Sequence, residues 1–567
     1  MVLRPFRTLA TAAVGAVLLA LCAPAAASAE EVAAAPAVGR VAAVYALTVP
    51  ASSTSIISSD DLALYTAPDG ILTRELAEVI DTPVAIGIDP MILASIRVLG
   101  TAAPATAVEW LDQLANATNE TFPLAYADAD LTLALQAGSP LVLAPTSFDF
   151  AVDPARFATP TTPTATPSAT PGSTPASTVT PTAEPTEPAP TGPPALPTTE
   201  SLLAWDYTLA DVAWPAAGTV VATDLAALTA SGYSSAILGS GNVQRAGQNA
   251  SVTVGGVPAL VTDDGLSAAL TRTVTATSVD AWEPELTQLQ GSLDGVAAAG
   301  GAEGATIVMA IQRGTLAETS RVASTMAAID SLASVDTVSL SAIGGTDPVD
   351  AQLIDSPQSP ERISAAQALL AAEASDGTFA TVAENPLLIT GDRRLRLLTV
   401  LSSAWAALPG GFTTVSGAYF AESIELHQSV RVVKSSEINL VADRASLPVT
   451  VSNSLNQPVT VNVSVTTGSA VLAVEEEMVT LTMEPDSQRR AQIPVQSLSN
   501  GTAIIAVSIA SPTGVPIGTP STVRINVYAG WETPITVAIA IVVFLVFGFG
   551  IARTILRRRK SRQESAE

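Results

Sequence analysis

The stretch LTRELAEVIDTPVAIGID, Leu72 to Asp89, joins an amphipathic helix to a buried strand. Its first nine residues, LTRELAEVI, carry apolar side chains at helical spacing, with Thr73 and Glu75 near the start. The following PVAIGID (83–89) is a short apolar run between two prolines, which is typical of a strand buried on both faces. Helix and buried strand in this order are the repeating unit of a parallel sheet or barrel, so the stretch indicates an α/β fold.

The same alternation continues on both sides. Further strands are predicted at VYALTV (44–49), FPLAYADADL (122–131), LVLA (141–144), DVAWP (211–215), SSAILG (234–239), VPALVTDD (257–264), TIVMAIQ (306–312) and TVSLSAI (337–343). Three or four strands precede Pro160 and four or more follow it, together about eight, the number in a βα barrel. We therefore expect one barrel-like α/β domain, closed or incomplete, formed by residues 40–158 and 201–425.

Between these two parts lies a Pro/Thr-rich segment, residues 159–200. Proline at nearly every third or fourth position cannot pack a core or hold a regular helix, so we expect a disordered, extended insertion. Its threonine hydroxyls leave O-glycosylation and an unmodified spacer as alternatives. The strand count favours an insertion inside one domain over a tether between two.

From about Val432 the apolar period changes to two. Val459, Val461, Val463 and Val465 alternate with polar residues, and the pattern recurs up to Val527 between turn signals. This predicts an antiparallel immunoglobulin-like β-sandwich at residues 432–530, without the usual cysteine pair. We expect it to hold the barrel-like domain away from a membrane.

Both ends of the chain predict membrane targeting. Residues 1–29 have the layout of a secretory signal peptide. Residues 534–552 form an uncharged apolar run of about 19 residues, enough to cross a ~30 Å hydrocarbon core as a helix. A basic tail, 553–567, follows this run, and basic residues favour the cytoplasmic side. We expect a single-pass cell-membrane protein with its N-terminal bulk outside and its C-terminus in the cytoplasm.

Composition excludes several classes of function. The net charge of -26 argues against a nucleic-acid partner. The single histidine, His427, excludes multi-histidine metal sites, including the two-histidine site of metal-dependent polysaccharide deacetylases. The acidic loops lack the graded ligand spacing of a calcium loop. We therefore predict neither a metal nor a cofactor.

Several segments of the sequence resemble a known protein family. LPVTVSNSLNQPVTVNVSV (447–465) and STVRINVYAGWETP (521–534), running into the apolar helix and RTILRRRK (553–560), are similar to the C-terminal half of the actinobacterial DUF6049 family. PVAIGIDP (83–90) and LAYADADL (124–131) resemble its N-terminal region. The family consists of uncharacterised membrane glycoproteins encoded beside the MviN-type lipid II flippase. The resemblance implies a part in envelope construction and carries no activity.

In a βα barrel the functional face lies at the carboxyl ends of the strands. The candidate catalytic residues there are Asp89, Asp128 and Asp263, and the candidate ligand-binding residues are Tyr126, Asp130, Trp214 and Asp264. Paired carboxylates cleave glycosidic bonds, and an aromatic face suits a sugar ring. Aspartate before a helix is also a common N-cap, so capping is the competing interpretation.

Two hypotheses follow. The first is a non-catalytic cell-envelope protein that supports peptidoglycan precursor processes by binding glycan or a membrane partner such as the lipid II flippase machinery. The alternative is a carbohydrate-active hydrolase that uses the strand-end carboxylates. Convergence of Asp89, Asp128 and Asp263 within about 10 Å in one cleft would favour the hydrolase, and scattered helix caps would oppose it.

Overall fold

The computed structural model describes residues 38–157, 196–245, 247–301, 304–315, 320–434, 436–528 and 532–563. The predicted signal peptide and most of the predicted insertion lie outside these ranges. The end of the predicted insertion is described, and a short helix begins there at Thr199, with Thr198 as its cap.

The first domain alternates strands with helices, so the predicted mixed α/β class is confirmed. Its strands are β1 (Gly39–Leu47), β2 (Val84–Ile88), β3 (Thr121–Pro123), β4 (Val212–Ala213), β5 (Ser235–Gly239), β6 (Val243–Gln244), β7 (Ser251–Val254), β8 (Val257–Thr262), β9 (Thr306–Ala310), β10 (Val335–Thr337) and β11 (Val349–Leu353). Its helices are α1 (Ser59–Tyr65), α2 (Ile71–Val79), α3 (Pro90–Val98), α4 (Ala105–Ala115), α5 (Leu131–Gln136), α6 (Thr199–Leu203), α7 (Ala222–Ala230), α8 (Asp264–Val274), α9 (Val279–Ala299), α10 (Val322–Asp330) and α11 (Leu340–Gly344).

The centre of this domain is a path of parallel strands in the order β4-β5-β8-β9-β1-β2-β3. At the two ends of the path, the Leu209 amide donates to the Thr121 carbonyl at 2.9 Å, so the segment before β4 returns to β3. Strands from both sides of residues 158–195 lie in this one sheet. β10 pairs with the start of β1, while β7, β11 and β6 extend the sheet beside β8.

Both faces of the central strands are buried. On β1, Val41, Ala43 and Tyr45 pack against the surrounding helices. The alternate residues of β1, such as Val44, pack on the other face with Phe122. Burial on both faces explains why these strands have continuous apolar sequences rather than alternating ones.

Two of the predicted strands are wrong, and a third, FPLAYADADL (122–131), is a strand only at Phe122 and Pro123. Residues 141–144 form no strand. In TVSLSAI (337–343), only Thr337 is in a strand, and α11 begins at Leu340. The Ser339 hydroxyl accepts from the Ala342 amide at 3.3 Å, and this N-cap starts a helix in an otherwise strand-like sequence.

Three helices follow the α/β strands where the sequence predicts more of the barrel-like domain. They are α12 (Pro360–Phe379), α13 (Pro386–Val400) and α14 (Gly411–Gln428), called here the helical unit. Arg393 ties them together, because its Nε donates to Asp376 at 2.7 Å and its Nη1 to Glu422 at 3.1 Å. His427 Nε2 lies 3.1 Å from the same Asp376, and its ring stacks on Phe379. The single histidine therefore has a structural place in this network.

The next domain contains two antiparallel sheets packed face to face. Its strands are β12 (Val430–Val432), β13 (Ile438–Leu440), β14 (Arg444–Asn453), β15 (Val459–Thr467), β16 (Leu472–Val474), β17 (Met478–Met483), β18 (Ser487–Ser497), β19 (Gly501–Ala510) and β20 (Pro516–Val527). One sheet has the order β12-β14-β18-β16 and the other β13-β20-β19-β15-β17, with β13 and β20 parallel. The predicted alternation on β15 is seen directly, because its four valines are buried in the core between the sheets.

The last helix, α15 (Glu532–Gln563), is exposed along its apolar length. Its segment Ile535–Arg559 is, among the described residues, the one helix long and apolar enough to cross a membrane. It contains most of the predicted span, and the helix continues through the basic residues of the predicted tail. The chain is therefore compatible with a single-pass membrane protein.

Candidate functional site

A cavity of about 820 Å³ lies at the carboxyl ends of the parallel strands. Each strand of the parallel path supplies residues to it from its last position or from the loop that follows. Thr399 of the helical unit and residues 402–404 and 406–408, between α13 and α14, supply the remaining side. This is the face on which the sequence placed the candidate residues.

Asp89, which follows β2, is both a cavity residue and a helix cap. Its Oδ1 accepts from the Met91 amide at 2.8 Å, at the start of α3, and from the Ala127 amide at 2.8 Å. The side chain is almost fully buried, and this burial raises the pKa of Asp89 to about 8, with the charge of Asp128 acting in the same direction. Asp89 is therefore protonated for much of the time at neutral pH.

Asp128 also lines the cavity and does not cap a helix. It follows β3 in a tight turn where Ala127 and Asp128 both have left-handed backbone angles, φ 59° and 46°. Consecutive non-glycine residues in this region store backbone strain, which is common at binding and catalytic sites. Burial raises the pKa of Asp128, and Arg313 and the Ser403 hydroxyl, which donates to Asp128 Oδ2, oppose the rise.

Arg313, which follows β9, is the cation of the cavity wall. Its Nε lies 3.5 Å from Asp128 Oδ2, its Nη2 donates to the Trp214 carbonyl at 2.6 Å, and its guanidinium lies 4.5 Å from the Trp214 ring centroid. The Trp214 ring also packs against the Phe122 ring, with 5.8 Å between the ring centroids. Trp214 thus lines the cavity, but Arg313 already covers part of the ring face that a sugar would use.

The remaining predicted residues are divided between structural and cavity positions. Asp130 caps α5 and contacts Gln358 and Arg362, and it does not line the cavity. Asp263 caps α8 and lies 3.4 Å from Arg245, also outside the cavity lining.

Tyr126 is buried and donates to the Ser55 carbonyl at 2.7 Å, so it presents no ring to the cavity. Asp264 lines the cavity, and its two oxygens accept from the Ser240 and Gly241 amides at 3.2 and 2.8 Å. The three candidate catalytic carboxylates do not converge as a set, because only Asp89 and Asp128 share the cavity.

Sequence reasoning missed Arg313 and Glu75. Arg313 directly follows the predicted strand at 306–312, so the strand-end rule applied to basic residues would have found it. Glu75 lies on α2 and lines the cavity, although it is only 3% exposed. Burial raises the pKa of Glu75 to about 8, against the lowering influence of Tyr45 and Arg74. No strand-end signal points to Glu75.

The cavity therefore combines a mostly apolar wall with a few fixed polar groups. Arg313 and Asp128 form a charged pair at one side, while Asp89 and Glu75 carry protons near neutral pH. Such a surface suits a ligand with apolar faces and several hydrogen-bonding groups. In the described parts of the chain, no cluster of three or more His, Cys, Asp or Glu side chains could hold a metal ion.

Several solved structures are similar to part of the chain. The chain is similar to native α2-macroglobulin from Escherichia coli, with 22% identity over 18% of this chain and 17% of that chain, and a TM-score of 0.16. It is similar to the E. coli chaperone DraB, with 15% identity over 18% of this chain and 55% of that chain, at a TM-score of 0.14. A Caenorhabditis elegans MSP family member, WR4, has 10% identity over 18% of this chain and 98% of that chain, also at 0.14.

The chain thus spans less than a fifth of the α2-macroglobulin structure that it matches. No curated protein matches the chain. A family model, described as a family of unknown function (DUF6049), matches residues 73–564. Because this match covers most of the sequence, the chain belongs to the DUF6049 family.

Proposed function

We propose that this chain is a non-catalytic, membrane-anchored binding protein of the cell envelope, whose α/β domain binds a glycan. The observation that carries the proposal is the cavity at the strand ends, which is large enough for a small saccharide and has fixed polar groups. On this proposal the parallel path acts as a barrel closed between β3 and the segment before β4. The domain lies outside the membrane, held there by the β-sandwich and α15.

The state of the cavity carboxyl groups favours binding over hydrolysis. Asp128 is engaged by Arg313 and Ser403, and Asp89 is held by two backbone amides. A hydrolytic acid and its partner need freedom to exchange protons with the substrate or with water. Groups already committed to protein partners instead keep a binding surface in one shape.

The glycan is proposed to belong to peptidoglycan precursor processes. This step is supported by the family resemblance, which implies an actinobacterial source and a gene beside the MviN-type lipid II flippase. The flippase machinery is then the membrane partner to test alongside glycan.

Binding should be tested with the full chain in lipid nanodiscs by isothermal titration calorimetry with the N-acetylglucosamine–N-acetylmuramic acid disaccharide. Arg313→Ala is expected to weaken binding about tenfold or more, because it removes the cation that orders Asp128 and Trp214. The matched control is Arg272→Ala, since Arg272 pairs with Glu285 outside the cavity. Equal affinity of both variants, or no binding by the unaltered chain, would contradict the proposal.

A photocrosslinking residue at Gln312, which lines the cavity, distinguishes the two kinds of partner in cells. Recovery of glycan supports the proposed ligand. Recovery of a flippase alone would replace glycan binding by a protein-partner role.

One observation favours the hydrolase as a second candidate. Asp89 and Asp128 share the cavity, both have raised pKa values, and the charge of Asp128 contributes to the shift at Asp89. Two coupled carboxyls are the usual equipment of glycosidases. Incubating the full chain with peptidoglycan and analysing soluble fragments by mass spectrometry tests this candidate. Release that Asp89→Asn and Asp128→Asn both abolish would support hydrolysis, and no release would exclude it for this substrate.

A further inference from the structure

The cavity reaches α2 and the start of α3, where it is lined by Glu75, Ile71 and Met91. This part is called here the Glu75 recess. Tyr45 of β1 lies next to Glu75, since each group shifts the pKa of the other. None of the residues predicted from sequence as catalytic or ligand-binding belongs to the recess.

Two polar atoms in the recess are buried without a partner. In the described parts of the chain, neither Glu75 Oε2 nor the Tyr45 hydroxyl makes a hydrogen bond of ordinary geometry, although the two groups lie close enough to interact with each other. Glu75 is 3% exposed and Tyr45 is 0% exposed. Folded proteins pair nearly all of their buried polar groups, because an unpaired one is costly. Two such groups next to each other, of which Glu75 lines the cavity, point to a ligand group that completes their hydrogen bonds.

The chemistry of the pair restricts that ligand group. Burial raises the pKa of Glu75 to about 8, so at neutral pH it is mainly a protonated carboxyl. A protonated carboxyl and a phenol can each donate one hydrogen bond and accept another. An ammonium group can only donate and a carboxylate can only accept, whereas a hydroxyl group does both. The neighbouring Ile71 and Met91 side chains add apolar contact and no charge.

We propose that the Glu75 recess binds an uncharged hydroxyl group of the ligand, held between the Glu75 carboxyl and the Tyr45 hydroxyl. The ligand is then a polyhydroxylated compound, with one hydroxyl in the recess and the rest of the molecule along the wall at Arg313. This inference rests on the proposed glycan-binding function and names the group by which the glycan is recognised.

The test uses the full chain in nanodiscs and two hydroxyl-bearing probes, N,N′-diacetylchitobiose and glycerol, by isothermal titration calorimetry. Glu75→Leu and Tyr45→Phe remove the two polar groups with little change of shape, and each should weaken binding of chitobiose about tenfold. Glu75→Gln keeps both a donor and an acceptor, so it should lose less than about threefold. Thermal unfolding of each variant checks folding, and Glu75→Leu should be at least as stable as the unaltered chain.

The outcomes separate the inference from the function on which it rests. If Arg313→Ala weakens binding while Glu75→Leu and Tyr45→Phe leave it unchanged, the recess proposal fails and glycan binding stands. If neither probe binds the unaltered chain, the recess proposal fails as stated. Glycerol binding with the same variant pattern would support the hydroxyl chemistry and assign it to a free polyol. Binding of chitobiose alone would assign it to a saccharide.

Discussion

Replacing Glu75 by Gln should stabilise the α/β domain at neutral pH and not in acid. Burial raises the pKa of Glu75 from 4.5 to about 8, so the folded state keeps a proton that the unfolded chain releases over this interval. The contribution of the carboxyl to stability is therefore fully present below pH 4.5 and is lost as the pH rises through about 8. The substitution Glu75→Gln removes this titration, because the Gln side-chain amide is neutral at every pH.

The magnitude follows from the shift. A pH of 7 lies about 2.5 units above 4.5, the pKa of this carboxyl in the unfolded chain. Each unit corresponds to ~1.4 kcal/mol of free energy. Glu75→Gln should therefore raise the free energy of unfolding by up to about 3 kcal/mol at pH 7 and by nearly nothing at pH 4.5. Asp89 titrates in both proteins, so its contribution cancels in the difference between them.

Urea unfolding of the full chain in nanodiscs, followed by tryptophan fluorescence from pH 4.5 to 8, measures this difference. Five of the six tryptophans precede residue 432, so the signal follows the α/β domain and the helical unit. Glu109→Gln, on the exposed surface of α4, controls for the loss of a carboxyl. A difference between Glu75→Gln and the unaltered chain that stays constant with pH would refute the reasoning, as would one that shrinks as the pH rises.

Three further predictions concern the interior. Asp376→Asn should lower the free energy of unfolding by about 3–5 kcal/mol, because the buried Arg393 loses its buried counter-charge and keeps only the more exposed Glu422. Burial opposes ionisation of Asp376, but His427, Ser423 and Arg393 lower its pKa below the ordinary value. The difference in the free energy of unfolding between the variant and the unaltered chain should therefore shrink in acid. An equal difference at pH 2 and pH 7 would contradict this prediction. Gly87→Ala would place a Cβ 2.8 Å from Leu124 Cδ2 and 2.9 Å from Phe122 Cε2. This crowding should lower the free energy of unfolding by about 1–3 kcal/mol in the same urea assay. An unchanged unfolding midpoint would contradict the prediction, since it would mean that the neighbouring side chains move aside without loss of stability. Ile493→Ala, in the sandwich core, should cost about 2–5 kcal/mol by circular dichroism of the β signal, and a loss below about 1 kcal/mol would contradict the close packing seen there.

The strand-end rule predicts which face of the α/β domain carries the cavity, and it does so from local sequence alone. Asp89, Asp128, Trp214 and Asp264 follow different strands, and the carboxyl ends of parallel strands meet at one face. The rule does not tell which way a carboxylate turns. Asp130 and Asp263 face the first amides of their own helices, where the unpaired donors compete with the cavity for the same oxygens.

The helical unit shows where sequence patterns stop being informative. Its contacts with the α/β domain are made by pairs of residues far apart in the chain. Ser403 and Asp128 are 275 residues apart, and Asp392 and Ser55 are 337 apart. Periodicity reports which face of a helix is apolar and not which partner covers it. For the same reason Glu75 reads as an ordinary residue of an amphipathic helix, and only the packing of α2 on β1 buries it.

The helical unit also connects the cavity to the second domain. At one end, the Asp130 amide donates to the Leu401 carbonyl at 2.8 Å, next to the strained turn at Asp128. At the other end, Phe379 and Val382 belong to the hydrophobic core of the β-sandwich. The Glu384 amide donates to the Pro458 carbonyl at 3.0 Å beside this contact. One set of helices packs into both places, so a movement of the cavity wall at residues 402–403 can be transmitted to the sandwich core through the helical unit. The helical unit is therefore the direct structural connection between the cavity wall and the sandwich core.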